Sequence, residues 1–402
     1  MVTAIVQRVG VYPLSIPLRR KVAHAAAVRA VAEPVVVAVE LRDGTAGFGE
    51  TLPRPYVTGE TVESVVADIQ DTLIPALLEF HPPTFADALE AIESLPWRTT
   101  NGRLIPAARA AVELALLDAV MRAFGRDMDS VVQWMGLPGF GSPGSLATIR
   151  FSGVLASDDP RKTMRQLRMM YWGGLRHFKL KVGMAGDLAL VRRVADYLRR
   201  PIARGRATLR VDANGAWSSD EAAEWSRAAA SLPIAAIEQP LARGNEERLC
   251  EIESPRGPKP AARPIIHDES LVTIEDGRRL IGLGVAGGFN IRLSKCGGML
   301  PSLRLAALAR REGVAIQLGC MVGETSILSA AGLRFLEMCP GVEWAEGCFG
   351  SWLLADDVVG RGLRFGYGGR PPRLRSRIGL TTDVLQARLD RLCVTAPIRV
   401  SL

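Results

Sequence analysis

The stretch from His177 to Gly298 carries five short motifs: Lys179-Leu-Lys181, Asp212-Ala-Asn214, Glu238-Gln-Pro240, Asp268-Glu-Ser270 and Lys295-Cys-Gly-Gly298. Each motif follows an apolar run that favours β-structure, and successive motifs begin 26 to 33 residues apart. A strand, a loop, a helix and a second loop fill that length, so the spacing predicts repeated βα units. Side chains just beyond the strands of a closed parallel barrel meet at one face. The sequence therefore predicts a TIM-type (β/α) barrel whose mouth collects three carboxylates and three lysines.

The 402 residues suffice for one large α/β unit and a smaller domain with a substantial core. The net charge of +8 comes without a basic stripe interleaved with aromatic residues, which argues against a nucleic-acid partner. The six cysteines include no Cys-x-x-Cys pair, so reduced thiols and a cytoplasmic location are expected. A signal-peptide pattern and an apolar run of about 18 residues are both missing, so no membrane partner is expected.

The chain divides into three parts around the linker at Gly136–Ser145, which is rich in glycine and proline. Residues 1–142 alternate apolar and polar residues near their start and then turn helical, which predicts an α+β capping domain. Residues 143–350 are assigned to the barrel, with a first strand at 146–151 and a proline-rich surface loop at 254–264. The tail, residues 351–402, is predicted to pack back on the capping domain and complete it.

Three carboxylates follow three successive predicted strands: Asp212, Glu238 and Asp268. Taken one at a time, they could be helix caps or surface charges. At matching places on three consecutive βα units they form a set of hard oxygen donors without His or Cys, which suits Mg²⁺. The sequence therefore predicts one Mg²⁺ at the mouth of the barrel.

Lys179 and Lys181 are two residues apart on a predicted strand, so both point to the same face. A solvated strand edge is the ordinary alternative, but the apolar neighbours Phe178 and Leu180 disfavour it. Mutual repulsion and a nearby metal are expected to depress the ammonium pKa of the two lysines and to yield a neutral base. Lys295 arrives from the other side of the barrel, so a substrate carbon between the lysines would have a base on one face and an acid on the other.

In this order and spacing, the five motifs resemble the muconate-lactonizing-enzyme subgroup of the enolase superfamily, and the likeness extends over nearly the whole chain. The resemblance implies Mg²⁺ on Asp212, Glu238 and Asp268, supported by Asn214 and Glu269. It also implies Lys181 and Lys295 as acid/base pair, with Lys179 orienting the carboxylate of a small-molecule substrate. The segment 17–31, with His24 and Arg29, would close over the site from the capping domain, and a homo-oligomer is expected.

The leading hypothesis for the reaction is racemisation or epimerisation α to a carboxylate, through an enolate, of an amino-acid derivative or dipeptide. The segment 57–64 resembles dipeptide epimerases, whereas their Asp-x-Asp on the eighth strand is absent here and Glu346 is the nearest substitute. Glu324, after the seventh strand, is predicted to face the mouth. Arg150 would bind a second substrate carboxylate or form a salt bridge at the rim.

Two other kinds of function compete with this hypothesis. A muconate-type cycloisomerase or an o-succinylbenzoate-synthase-like lyase would use the same machinery. A nucleotide-binding protein is the alternative of a different class, because Gly282-Leu-Gly-Val-Ala-Gly287 matches Gly-x-Gly-x-x-Gly. That match follows a helix and precedes a strand, the reverse of the order in a dinucleotide site, so the glycines are better explained as a helix end.

Overall fold

The structure is a computed structural model that describes residues 4–24, 27–141, 145–157, 159–184, 186–252, 263–381 and 383–402. The predicted domain boundary at 142/143 and most of the predicted surface loop at 254–264 lie outside these residues. None of the helices in the described ranges has the length and hydropathy needed to cross a membrane.

The capping domain begins with five strands: β1 Val6–Pro13, β2 Ile16–His24, β3 Ala27–Ala32, β4 Val35–Leu41 and β5 Ala46–Thr51. Its helices are α1 Pro55–Thr58, α2 Val62–Asp68, a π-helical turn at Ile69–Leu73, α3 Ile74–Ala76, α4 Phe85–Glu93, α5 Pro106–Ala123 and α6 Met128–Met135. Helix α7, Ser145–Thr148, comes before the barrel strands. Strands β1, β4 and β5 pair antiparallel, whereas β2 and β3 form a separate hairpin.

Eight parallel strands follow: β6 Gly153–Leu155, β7 His177–Lys181, β8 Thr208–Asp212, β9 Ala236–Glu238, β10 Ile265–His267, β11 Gly288–Ile291, β12 Ala315–Leu318 and β13 Val342–Ala345. The connecting helices are α8 Pro160–Trp172, α9 Asp187–Ala203, α10 Ser219–Ala228, α11 Leu249–Ile252, α12 Ile274–Gly282, α13 Met299–Arg311 and α14 Ser326–Met338. A parallel bridge between Phe151 and Ala345 joins the two edges, and Ser152 N donates to Ala345 O at 2.8 Å. The predicted α/β barrel fold is confirmed.

The prediction of a first barrel strand at 146–151 is wrong. Helix α7 occupies Ser145–Thr148, and the strand begins only at Gly153, where the register with Phe178 of β7 starts. The guanidinium of Arg150 donates to Ala147 O at 2.8 Å and to Ile149 O at 2.6 Å. These bonds satisfy carbonyls at the end of the helical turn, so the local backbone is folded rather than extended.

The tail returns to the capping domain, as its sequence suggests. After short 3-10 turns at Gly350–Trp352 and Tyr367–Gly369, it forms α15 Gln386–Leu392 and the last strand, β14 Ile398–Ser401. Strand β14 pairs antiparallel with β1 and completes the four-stranded sheet. The N-terminal and C-terminal segments of the described chain therefore share one sheet.

Strand β5 packs against the buried helix α5 through glycines that leave no room for a side chain. A β-carbon on Gly49 would overlap the carbonyl oxygen of Ala111 in α5. We expect Gly49→Ala to lower the free energy of unfolding by about 1–3 kcal/mol, because the backbone of α5 would have to move away. Gly282→Ala is the control, since Gly282 has no neighbour within 4 Å of the new carbon. Chemical denaturation that gives equal stabilities for the two variants would contradict this packing.

Candidate active site

The strand register places the predicted catalytic and metal-binding residues side by side. Lys181 is the register partner of Asp212, and Asp212 is the partner of Glu238, each at the carboxyl end of its strand. Asp268 follows directly after β10, and Lys295 lies in the loop between β11 and α13. In a parallel barrel these positions share the face at which active sites are built.

The lysines form ion pairs with the three carboxylates at hydrogen-bond distance. The Nζ of Lys181 lies 2.6 Å from Asp212 Oδ2, and the Nζ of Lys295 lies 3.1 Å from Asp268 Oδ1. The Nζ of Lys179 lies 3.1 Å from Glu238 Oε1 and 3.4 Å from Asp212 Oδ2. The structure therefore brings the three lysines and the three carboxylates into one cluster.

The two predicted supporting residues join the same cluster. Asn214 accepts a hydrogen bond from Lys181 Nζ at 2.8 Å and donates from Nδ2 to Glu269 Oε1 at 3.3 Å. Asn214 has a positive φ of 49°, a backbone conformation in which asparagine is favoured over most residues. The Asp212-Ala-Asn214 turn thus links the end of β8 to the residue after Asp268.

Burial makes the cluster asymmetric. The side chains of Asp212, Glu238, Asp268 and Lys295 are fully buried, whereas Lys181 keeps 17% of its side chain exposed. Lys295 also donates to the backbone oxygens of Asp268 at 2.5 Å and of Asn290 at 2.9 Å. One amine is therefore open to solvent and the other is enclosed by the barrel.

The expected depression of the lysine pKa does not hold for Lys179. Burial lowers the pKa of this ammonium, but the attraction of Glu238, Glu346 and Asp212 outweighs burial and raises the pKa above its ordinary value. The side chain for which the sequence predicted a neutral amine is instead a cation shared by three carboxylates. Lys179 is therefore suited to hold negative charge and unsuited to remove a proton.

The carboxylates respond to these neighbours in opposite directions. Burial raises the pKa of Asp212, but Lys181 and Lys179 outweigh burial and hold the pKa below its usual range. Burial and the charge of Asp212 raise the pKa of Glu238 to about 7, although Lys179 opposes them. Burial and Asp268 likewise raise the pKa of Glu269 to about 7. Additional positive charge nearby would therefore favour the ionised forms of both Glu238 and Glu269.

The donor chemistry of the cluster fits a hard divalent cation. Asp212, Glu238 and Asp268 offer buried oxygens, and Oε2 of Glu269 is buried without a hydrogen-bond partner among the described residues. Within those residues no three carboxylate, imidazole or thiol groups converge tightly enough to hold an ion, since the oxygens point to lysine and arginine nitrogens. The set supplies the oxygen ligands that Mg²⁺ prefers.

Four polar residues that the sequence analysis missed complete the cluster. Asn290 Nδ2 donates to Glu238 Oε1 at 2.8 Å, and Gln317 Nε2 donates to Glu238 Oε2 at 3.1 Å. Arg292 forms an ion pair with Asp268, and Arg210 donates to the side chain of Gln317. All are polar residues at alternate positions of otherwise apolar strand segments, a pattern typical of inward-facing side chains in a barrel.

The two glutamates predicted at the mouth meet across a small cavity that Gly319 and Cys348 also line. Glu346 lies 2.7 Å from Lys179 Nζ and 3.2 Å from Arg210 Nη2. Glu324 accepts a hydrogen bond from Met321 N at 2.7 Å. Burial raises the pKa of Glu324 to about 8, and the charge of Glu50 adds to this effect.

The remaining three candidates are Arg150, Arg29 and His24. Arg150 precedes β6, and its guanidinium donates to Ala147 O and Ile149 O. Its role in binding a substrate carboxylate stays a prediction. Arg29 lies on β3, and its Nη1 is 3.5 Å from Glu33 Oε2. The side chain of His24 lies outside the described residues. The hairpin that carries them is joined to the tail through the bridge between Leu18 and Leu354.

His267, next to Asp268, predicts a pH-dependent contribution to stability. Its Nε2 donates to Val285 O at 3.0 Å, and burial lowers its pKa from 6.5 to about 4. Between these two pKa values, His267 is protonated in the unfolded chain and neutral in the folded chain. The free energy of unfolding therefore falls as pH falls. The stability difference between wild type and His267→Gln should therefore shrink by about 2–3 kcal/mol from pH 7 to pH 4.5.

Denaturation curves at the two pH values measure this difference. The exposed His81 is the matched control, and the His81→Gln difference should stay constant. A constant difference for His267→Gln would show that His267 is protonated equally in both states.

Comparison with known proteins supports the architecture. Residues 9–136 match the N-terminal domain of the mandelate racemase/muconate lactonizing enzyme family, and residues 162–384 match the enolase C-terminal domain-like family. The L-Lys-D/L-Arg epimerase of Methylococcus capsulatus is 32% identical over 358 residues, which cover 88% of this chain and 91% of the epimerase.

The chain is also similar to a curated cycloisomerase in sequence and to a solved racemase in fold. The chloromuconate cycloisomerase of Cupriavidus pinatubonensis is 28% identical over 354 residues, covering 86% of this chain and 87% of the cycloisomerase. The crystal structure of the N-succinyl Arg/Lys racemase of Bacillus cereus superposes with a TM-score of 0.83, at 24% identity, over 98% of this chain and 100% of the racemase.

Proposed function

Because the chain belongs to the mandelate racemase/muconate lactonizing enzyme family of the enolase superfamily and is an isomerase, we propose that it is a Mg²⁺-dependent racemase or epimerase. It would remove and return the proton α to the carboxylate of an amino-acid derivative or dipeptide. A cytoplasmic location and a homo-oligomeric state remain predictions from the sequence.

The observation that carries this proposal is the pair of amines at one carboxylate cluster. Lys181 ends β7 and pairs with Asp212, whereas Lys295 follows β11, four strands further round the barrel, and pairs with Asp268. An amine on each side lets one neutral lysine take the α-proton while the other, as an ammonium, delivers a proton to the opposite face. Inversion of configuration follows from that arrangement.

The other cations of the cluster would serve the enolate. Lys179, held protonated by its carboxylate neighbours, supplies positive charge where the substrate carboxylate gains negative charge. Asp212, Glu238 and Asp268 would hold Mg²⁺, which when bound would act as a Lewis acid toward that carboxylate. The full burial of Lys295 excludes water from one proton-transfer path.

For the substrate we propose a derivative of lysine or arginine. Glu324 is half-buried, and no ion pair to it is found among the described residues, so a cationic group brought beside it would favour its ionised form. Glu346 lines the same cavity. The similar proteins named for Lys and Arg substrates support this choice.

The test is solvent deuterium exchange at the α-carbon, with and without Mg²⁺. The panel contains N-succinyl-lysine, N-succinyl-arginine, dipeptides ending in these residues, N-acylated neutral amino acids and cis,cis-muconate. We expect exchange and inversion of the cationic derivatives that depend on Mg²⁺. Conversion of muconate to its lactone without α-exchange would favour a cycloisomerase instead, the activity named for one similar protein. Loss of water from a substrate would favour a lyase.

A further inference from the structure

The loop that carries Lys295 is bound by the capping domain as well as by the barrel. This Lys295 loop, Ser294–Gly298, leaves β11 and leads directly into α13. At its start, the hydroxyl oxygens of Thr51 and Ser294 lie 2.8 Å apart, and Leu52 N donates to Ser294 Oγ at 3.0 Å. The end of β5 is therefore attached to the residue immediately before the enclosed amine.

Arg109 of helix α5 holds the far end of the same loop. Its Nη1 donates to Gly297 O at 2.5 Å, and its Nη2 donates to Glu93 O at 3.0 Å. The guanidinium is 1% exposed and stacks over the Trp97 ring at 4.5 Å. Because the planar guanidinium of Arg109 donates to the Lys295 loop and to Glu93 O at the same time, it connects the loop to the body of the capping domain.

Glu113 lies one helical turn after Arg109 and binds the helix that follows the loop. Its carboxylate accepts hydrogen bonds from Met299 N at 2.9 Å and Leu300 N at 2.8 Å, the first two amides of α13. Gly298 has a φ of 114°, and a β-carbon there would overlap the Glu113 carboxylate. The close approach of Glu113 to the backbone thus requires glycine at the end of the loop.

We propose that Thr51, Arg109 and Glu113 are positioning residues for Lys295, so that the capping domain sets the geometry of one acid/base and leaves the other to the barrel. Lys181 lies within β7, and its own hydrogen bonds run to Asp212 and Asn214 of the barrel. Loss of the contacts that Thr51, Arg109 and Glu113 make would displace Lys295 and leave Lys181 in place. The inference rests on the proposed function, since it assigns each lysine one face of the substrate.

The experiment measures α-proton exchange in D₂O separately for the two stereoisomers of N-succinyl-lysine. Lys295→Ala first identifies the stereoisomer whose proton Lys295 removes. Thr51→Val deletes the hydroxyl contact, and Glu113→Gln replaces one acceptor oxygen with an amide that cannot accept a backbone N–H. For both variants we expect exchange of that stereoisomer to fall at least about tenfold, because displacement of about 1 Å can cost a hundredfold in rate. Exchange of the other stereoisomer should stay close to wild type.

Glu60→Gln is the matched control. Glu60 is also a buried glutamate of the capping domain, and it accepts hydrogen bonds from Ala107 N and Ala108 N at the start of α5, neither of which reaches the Lys295 loop. Glu60→Gln should lower the melting temperature and change the exchange of both stereoisomers equally. Thr51→Val introduces no buried charge or amide, so it decides the question if Glu113→Gln fails to fold.

The outcomes separate the two proposals. If exchange falls equally for both stereoisomers, or does not fall, in Thr51→Val and Glu113→Gln, the positioning role is wrong. A selective loss of exchange in Lys295→Ala would still support the proposed function. If the wild type exchanges neither stereoisomer of any substrate in the panel, the proposed function is wrong and the positioning role is wrong with it.

Discussion

Lys181→Ala and Lys295→Ala should each reduce inversion at the α-carbon by at least about a hundredfold, since a positioned acid/base contributes roughly 10²–10⁴ in rate. Each variant removes the amine paired with one carboxylate: Asp212 for Lys181 and Asp268 for Lys295. The remaining lysine should still exchange the proton on its own face. Proton exchange without inversion, seen for opposite stereoisomers in the two variants, is therefore the expected pattern in D₂O followed by NMR.

The control for this pair is Lys162→Ala, which removes a lysine on α8 with 74% of its side chain exposed. This variant should invert substrate at the wild-type rate. Retention of full inversion by either Lys181→Ala or Lys295→Ala would contradict a mechanism with two acid/base residues. A loss of exchange from both faces in one variant would assign both proton transfers to that lysine.

Glu238→Gln should abolish the response to Mg²⁺ and lower activity by at least about a thousandfold. Glu238 lies between the other two predicted ligands: Lys179 bridges it to Asp212, and Arg292 Nη2 lies 4.0 Å from it while pairing with Asp268. In the wild type, Mg²⁺ at a hundred times its Kd should stabilise the fold by about 2.7 kcal/mol. Removal of metal with EDTA should end activity, and Mg²⁺ should restore it.

Thermal unfolding with and without Mg²⁺ measures this stabilisation independently of activity. Glu60→Gln, which changes a buried carboxylate of the capping domain, should keep the Mg²⁺-dependent increase in melting temperature. An equal increase in Glu238→Gln and in the wild type would show that Mg²⁺ binds elsewhere. Activity that survives EDTA would contradict the assignment of a metal to this cluster.

The sequence predicts most of the architecture because the decisive residues are local and repeated. A charged residue after each apolar run, at the spacing of a βα unit, fixes both the barrel and the end at which Asp212, Glu238 and Asp268 lie. The first strand was misplaced because its limits depend on the pairing of Phe151 with Ala345, almost two hundred positions away.

The finer electrostatics of the site could not be predicted from one stretch of chain. The raised pKa of Lys179 depends on Glu238 and Glu346, which reach it from β9 and from beyond β13. Arg292 and Gln317 read as single polar residues in apolar strands, and only barrel closure shows that they face Asp268 and Glu238. Contacts between distant segments of the chain decide these pKa values and side-chain partners. The periodicity of the sequence does not show such contacts.

The proposed mechanism needs two amines, one on each face of the substrate α-carbon. A crystal structure of the complex with Mg²⁺ and N-succinyl-lysine tests it most directly. We expect the substrate carboxylate at the metal held by Asp212, Glu238 and Asp268, with the Nζ atoms of Lys181 and Lys295 on opposite sides of the α-carbon. Both amines on the same side of that carbon, or a metal bound away from these carboxylates, would contradict it.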